Sequence, residues 1–210
     1  MSMIPLPPSR NTIVLRNSQL VQTVGRRPVT LPVGLTEDMR PSRTTDVVVE
    51  LVTASPARPR VIALDGPSAA GTSTLGADLG VRLSASVVAG DDFYRDMPEK
   101  QRWALTAVQG VEECFDWQRL RHEVLEALRA GRSARYRPFS WLPEGGLEER
   151  WVRVDPTPII VLEGVYTARP QLRDLVDLAV PVETATEERQ RRLTVRKLMA
   201  PVLGAHGWRH

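Results

Sequence analysis

The chain is nearly devoid of cysteine. Cys114 is the only one, which excludes an intramolecular disulfide and fits a cytoplasmic protein. Lysine is almost as scarce, with Lys100 and Lys197 alone, and arginine carries the remaining positive charge. The formal net charge is only +3, too small a surplus to indicate nucleic acid as a partner. No apolar run approaches the ~18 residues of a membrane span, and the start has no signal-peptide core. Neither a span nor a leader is therefore expected, and no internal repeat or low-complexity tract is visible. What remains is ordinary for a globular protein, with 42% hydrophobic and 25% charged residues over 210 positions. That is enough for one domain with a full core and at most a tail or subdomain.

The most informative stretch is RVIALDGPSAAGTSTLGADL, residues 60 to 79. Val61 to Leu64 read as a short buried parallel strand, apolar without alternation. Gly66 and Gly71 bracket four residues, and Ser73-Thr74 open an amphipathic run. Strand, glycine loop and helix start form a phosphate-binding P-loop, whose backbone N–H groups wrap a phosphate while a hydroxyl reaches Mg²⁺. Gly66, Ser68, Ala69, Ala70, Gly71, Thr72, Ser73 and Thr74 are its candidate residues. The motif asks for lysine where this chain has Thr72.

Prolines interrupt every candidate element from residue 1 to about 43, so a flexible or loosely ordered extension is expected there. Within it, Thr12–Leu15 and Val29–Val33 could form edge strands. Thr44 to Ala54 suits a short helix capped by Thr45 or Asp46, although its three valines equally suit a strand. A proline-bounded connector follows over Ser55 to Pro59. Ala85–Ala89 predicts a second strand, Met97 to about Val108 a helix, and Trp117–Ala130 a helix stopped by Gly131. Glu149–Val154 fits one strand of a small accessory hairpin. Pro158–Gly164 and Leu178–Val182 predict further buried strands, and Glu187–Leu198 an arginine-dense helix. Alternating strands and helices argue for an α/β, three-layer α/β/α fold of P-loop NTPase type, with a central parallel sheet. The domain is placed at 44–210, with a helical lid at about 187–205.

Several residues outside the loop suit chemistry. Asp91-Asp92 follow the second strand, where open α/β sheets place ligand-handling groups. From an extended backbone the two would diverge, one facing a bound hydroxyl as proton acceptor. An acidic turn is the plain alternative, but Phe93-Tyr94 behind them favour a substrate wall. Glu163 ends an apolar strand in the position of a Walker-B-type carboxylate and joins Ser73 as a candidate Mg²⁺ ligand. Arg189, Arg192 and Arg196 share a helix face, either to clamp transferring phosphates or as a solvated face paired with Glu183, Glu187 and Glu188. Trp117, Tyr136, Phe139 and Trp141 are core or rim aromatics, and sequence does not separate stacking from packing.

The segments GPSAAGTST, GDDFYRD, FDWQRL, ARYRPFSW, IIVLEGVY and ERQRRLTVRK, in that order, resemble the uridine kinase and phosphoribulokinase branch of P-loop kinases. The likeness is nearest to uridine kinase-like proteins of high-GC bacteria and covers about residues 45 to 197. The resemblance implies that Asp91 is the catalytic base and that Tyr94 contacts substrate. It further implies that Asp116 holds ribose hydroxyls, that Tyr136 lines a base pocket and that Glu163 lies near Mg²⁺. Arg189, Arg192 and Arg196 would be lid arginines closing over the triphosphate. The chain departs from the pattern at Thr72, at Trp141 in place of a base-reading histidine, and at Lys197 in place of aspartate. It ends at His210, soon after the lid, where that family carries a further helix.

Loss of the loop lysine should impair turnover more than binding, and a lid cation such as Arg192, Arg196 or Lys197 could stand in. Three functions remain open on sequence. The first is transfer of the γ-phosphate of ATP, or GTP, with Mg²⁺, to a hydroxyl of a nucleoside-like or other small metabolite. The second is a catalytically impaired fold that binds a nucleotide or a partner. The third is a different reaction on a phosphorylated metabolite. The partners expected are a small-molecule substrate and a nucleotide, with no membrane; a homo-oligomer is compatible with the sequence.

Overall fold

Four consecutive apolar residues can be buried together only in a strand covered on both faces. In the computed structural model Val61, Ile62, Ala63 and Leu64 are each fully buried. The structure describes the backbone of residues 11–16, 19–24, 27–30, 41–55, 60–142 and 145–203. Side chains are described within these from residue 44 onward, save at 107, 197 and 199–203. The expected connector over 56–59, part of the turn at 143–144 and the chain end through His210 lie outside the described residues.

The elements run β1 (Asn11–Arg16), β2 (Gln19–Val24), β3 (Arg27–Thr30), α1 (Pro41–Ala54), β4 (Val61–Asp65), α2 (Thr72–Leu83) and β5 (Ser86–Ala89). After a 3₁₀ turn at Gly90–Phe93 come α3 (Glu99–Ala104), α4 (Ala107–Glu113) and α5 (Trp117–Arg119), continued through π-helical turns (Leu120–Leu125) into α6 (Glu126–Arg129). Then follow β6 (Ala134–Tyr136), β7 (Val152–Val154), β8 (Ile160–Gly164), β9 (Leu178–Pro181) and α7 (Thr186–Leu203). The main sheet has seven strands in the order β3-β2-β1-β9-β4-β8-β5, and β6 and β7 form the separate antiparallel hairpin. From β1 to β5 all neighbours are parallel, while β2 and β3 fold back antiparallel.

Alternate strand residues feed two cores. Ile62, Leu64, Val161, Leu178 and Val180 meet Val48 and Val52 of α1 and Leu75 and Leu79 of α2. Val61, Val88, Ile160 and Leu162 meet Leu120, Val124, Leu125 and Leu128 on the opposite face. Helices thus cover both faces of a parallel sheet, the three-layer α/β/α arrangement that the alternation of elements predicts. Each fully buried aliphatic side chain contributes about 1.5–3 kcal/mol relative to exposure.

Two local expectations are corrected by α1 and the 97–108 region. Helix α1 begins at Pro41, as suits a residue without an N–H to leave unpaired. Thr45 and Asp46 therefore lie inside the helix rather than capping it; Thr45 donates to Asp78 and Asp46 pairs with Arg82. The single helix expected over 97–108 is two, because Thr106 caps α4 with a reciprocal Gln109 capping box. Of the N-terminal stretches read as possible edge strands, Thr12–Leu15 lies within β1 and Val29–Thr30 within β3, while 31–33 lie outside the described residues. Segments 11–16, 19–24 and 27–30 are strands that join the parallel sheet through Thr12 opposite Ala179. Pro28 sits on the outermost strand, where a missing donor is tolerated.

Register places the functional elements. Asp65 pairs with Gly164 and with Pro181, and Ala89 with Glu163. The C-terminal ends of β4, β8 and β5 consequently share one edge, so the loop after β4, Glu163 and the Asp91-Asp92 turn are neighbours.

Candidate functional site

The loop after β4 is built by backbone constraints. A side chain at Gly66 would begin 2.5 Å from the Val182 carbonyl oxygen, so the first glycine is required by close approach. Ala69 and Gly71 both have positive φ, 64° and 99°. Such alternation of hand is the backbone pattern from which anion-binding turns are made, and here it leads into the N-terminus of α2. Holding a non-glycine residue there stores on the order of 1–3 kcal/mol. Bonds on either side keep it in place: Ala70 N–H donates to the Pro67 carbonyl at 2.9 Å, and the Thr184 hydroxyl to the Ala70 carbonyl at 2.7 Å. Ser68 and Thr74 are exposed at the loop surface.

Thr72 does not reach outward. It is buried, its methyl lies 3.2 Å from where a Gly66 Cβ would stand, and its hydroxyl hydrogen-bonds Glu163. Ser73 donates to the same carboxylate at 3.0 Å. Gly76 lets α2 approach, since a Cβ there would be 3.1 Å from Glu163 Cγ. Burial pushes the Glu163 carboxyl upward, the two hydroxyls pull it down, and the charges of Asp91 and Asp92 push it up again. The paired hydroxyl and carboxylate oxygens suit Mg²⁺, which takes hard oxygen donors and keeps much of its shell as water and phosphate. Among the described residues no three His, Cys, Asp or Glu side chains come together as a metal cage, so an ion here would depend on those outside ligands.

Asp91 and Asp92 occupy a 3₁₀ turn, not the extended backbone the sequence suggests; Gly90, closely packed on Thr167 and Glu163, allows the chain to bend there. They diverge nonetheless. Asp92 accepts from the Tyr136 hydroxyl at 2.9 Å and feels the charges of Arg150 and Arg119. Asp91 is open to solvent on one side but crowded by protein on the other. That crowding, and then the Asp92 charge, raises its carboxyl above the usual range, against a pull from Arg196. Tyr94 bridges to Phe115 and meets Trp141 edge-on at 5.0 Å. Trp141 is 40% exposed. Tyr136 is buried, with its ring 4.7 Å from Phe93. Asp116 caps α5, accepting from the Arg119 N–H at 3.2 Å.

Helix α7 brings one arginine to the loop. Arg192 Nη1 donates to the Ala69 carbonyl at 3.2 Å and lies 3.5 Å from the Cβ position of Gly71. Its Nε donates to Glu188 at 2.7 Å, and Arg191 donates to the same carboxylate. The two arginines hold the Glu188 carboxyl down, to about 2. Of the three candidate clamp arginines, Arg192 thus both reaches the loop and pairs with Glu188. Arg189 keeps a buried Nε without a partner, and Arg196 lies near enough to Asp91 to act on its charge. The Lys197 side chain lies outside the described residues.

Several residues at the site carry no sequence motif. Asp65 accepts from the N–H groups of Tyr166 and Ala168, at 3.2 and 2.8 Å, and Thr167 donates to the Leu64 carbonyl at 2.9 Å. These bonds fix a strained turn in which Tyr166 has φ 65°. A carboxylate ending a buried strand beside Gly66 was the one available signal for Asp65. Arg102 and Arg169, which flank the aromatic wall, gave none in an arginine-rich chain.

No protein-family model and no curated protein matches this chain. Solved structures do. A possible uridine kinase from Bacillus stearothermophilus superposes with a TM-score of 0.58 at 19% identity, covering 78% of this chain and 96% of that one. A protein from Silicibacter sp. TM1040, provisionally named a fructose transport system kinase, gives 0.55 at 21% identity, covering 77% and 82%. Identities this low speak for architecture alone, and on that level the chain shares the α/β fold of these two proteins.

Proposed function

We propose that the protein is a phosphotransferase that moves the γ-phosphate of ATP or GTP to a hydroxyl of a small metabolite. The observation that carries this reading is the Arg192 guanidinium, 3.2 Å from the Ala69 carbonyl. It gives the phosphate loop the positive charge that Thr72 does not. A guanidinium held at the loop can exchange its neutral carbonyl partner for a phosphate oxygen, a charge-assisted and stronger bond.

In this reading the acceptor hydroxyl attacks the γ-phosphorus in line. The new O–P bond forms as the bond to the β–γ bridging oxygen breaks, the nucleoside diphosphate leaves, and the hydroxyl proton passes to Asp91. A carboxyl raised by crowding is a better proton acceptor than a free one. Loop N–H groups hold the phosphates, and Arg192, with Arg189 and Arg196, spreads their charge. Ser73 and Glu163 are the oxygens that would hold Mg²⁺, which supplies charge neutralisation on the phosphates when bound. Tyr94 and Trp141 wall the acceptor. Cys114 as the sole cysteine suits a reducing cytoplasm, and no helix among the described residues is long and apolar enough to cross a membrane.

One observation favours the binding-module alternative: Thr72 is buried against Gly66 and faces Glu163, so position 72 presents no charge to a phosphate. Incubation with Mg-ATP and a panel of nucleosides and polyols separates the two. Phosphorylated product that disappears in Asp91→Asn supports the phosphotransferase. Nucleotide binding without product, in both the native chain and Thr72→Lys, supports the module.

A further inference from the structure

Resting on the phosphotransferase reading, we infer that Asp65 is a positioning residue for Asp91, acting through the turn after β8 rather than on the substrate. Its two carboxylate oxygens are divided between two backbone donors. Oδ1 accepts from the Tyr166 N–H at 3.2 Å and Oδ2 from the Ala168 N–H at 2.8 Å. Between them Thr167, fully buried, donates its hydroxyl to the Leu64 carbonyl at 2.9 Å. Burial pushes the Asp65 carboxyl upward, while the N–H groups of Ala168 and Tyr166, and then the Arg169 charge, pull it down. These ties hold a backbone that the turn would not adopt alone, with φ 65° at Tyr166 and 138° at Gly164. A non-glycine residue stays in the left-handed region only where its surroundings determine it.

The other side of this turn supports the Asp91 turn. A Cβ on Gly90 would stand 3.0 Å from the Thr167 methyl and 3.2 Å from the Glu163 carbonyl oxygen. One on Gly164 would stand 3.5 Å from the Gly90 Cα and 3.7 Å from the Asp91 nitrogen. Glycine on both sides brings the two backbones together with no side chain between them. A shift of residues 164–168 therefore passes to Gly90 and Asp91 undamped, because close-packed groups transmit strain. Misplacing a reacting group by about 1 Å costs on the order of 10²-fold in rate.

The loop after β4 is anchored by other groups. The Val182 N–H donates to the Asp65 backbone carbonyl at 2.7 Å, and the Gly66 N–H to the Gly164 carbonyl at 3.2 Å. The Thr184 hydroxyl holds the Ala70 carbonyl, and Arg192 the Ala69 carbonyl. None of these bonds uses the Asp65 side chain. Loss of the carboxylate should therefore damage transfer and spare nucleotide binding, a split that a merely stabilising residue would not produce.

The test compares the native full chain with Asp65→Asn, whose amide keeps one acceptor oxygen but turns a donor toward the other N–H. Three quantities are read: ATP affinity by calorimetry, product from Mg-ATP and the acceptor panel, and amide hydrogen exchange of peptides covering 66–72, 89–95 and 164–168. ATP should bind within about threefold of native, while turnover falls about 10- to 100-fold. Exchange should quicken in 164–168 and in 89–95 but stay native in 66–72. Thr167→Ser keeps the hydroxyl bond and removes the methyl against Gly90, and should show the same split; its burial excludes substrate contact as the cause. Melting curves check both variants, and Thr167→Ser carries the test if Asp65→Asn does not fold. Native turnover, ATP affinity lost in proportion to turnover, or unchanged exchange in 89–95 would each overturn the inference. Exchange needs no turnover, so a native chain that forms no product sinks the phosphotransferase reading while the coupling of Asp65 to the Asp91 turn is still measured.

Discussion

Arg192→Ala withdraws the guanidinium nitrogen that lies 3.2 Å from the Ala69 carbonyl, beside a loop whose position 72 supplies no charge. The Arg192 side chain is 40% exposed, so the low end of the range for a charge-assisted bond, about 1.5 kcal/mol, applies to nucleotide binding. That is roughly tenfold in Kd. The loss in turnover should be larger, on the order of 10²–10³, because a positioned donor counts most where charge develops. In Thr72→Lys the ammonium group takes over the role, and adding Arg192→Ala should then cost about tenfold or less. The two substitutions would thus be coupled by about 1.4–2.7 kcal/mol. Lysine cannot occupy the small space of the Thr72 methyl against Gly66; its flexible stem must lead the charge out toward the loop, and a melting curve checks that the fold tolerates it. Nucleotide affinity by calorimetry and product formation from Mg-ATP are read for all four proteins. Penalties that add within about 0.5 kcal/mol, or an Arg192→Ala variant with native affinity, would refute the assignment.

Gly66→Ala forces a methyl to within 2.5 Å of the Val182 carbonyl, and should lower stability by about 1–3 kcal/mol in denaturant unfolding while weakening nucleotide binding. Leu79→Ala empties a fully buried position under β4 and β8, and should lose about 2–5 kcal/mol with the same denaturant slope as the native chain. Glu163 is an acid whose folded-state value is raised, so its contribution is full below the ordinary carboxylate value and is lost as pH rises through the folded one. Unfolding free energies measured from pH 4 to 8 should therefore fall less steeply with rising pH in Glu163→Gln than in the native protein; equal slopes would contradict the burial argument.

The parallel centre of the sheet was legible because four short strands lack alternation: Val61–Leu64, the runs ending at Ala89 and Gly164, and Leu178–Val182. The Gly66–Gly71 spacing marked the turn between strand and helix for the same local reason. Strand register was not legible, and it alone brings Glu163 beside Ala89. The N-terminal strands were obscured by prolines, which count against a strand in the middle of a sheet but not on its outer edge, as at Pro28. Thr72 was legible as a missing charge, but where its hydroxyl turns is decided by a carboxylate ninety-one positions away. Asp116 satisfies the first turn of α5, a local role that a family pattern does not distinguish from ligand contact.

The segment leaving β9 is fastened to the loop after β4 twice, by the close approach of the Val182 carbonyl to Gly66 and by the Thr184 hydroxyl on the Ala70 carbonyl. Only two residues after Thr184 the last helix begins. Loop and helix α7 therefore share a root, and the Arg192 guanidinium is held beside the loop from close by. On the phosphotransferase reading, a nucleotide would exchange itself for the Ala69 carbonyl as the partner of Arg192, with no large swing of the helix to meet it.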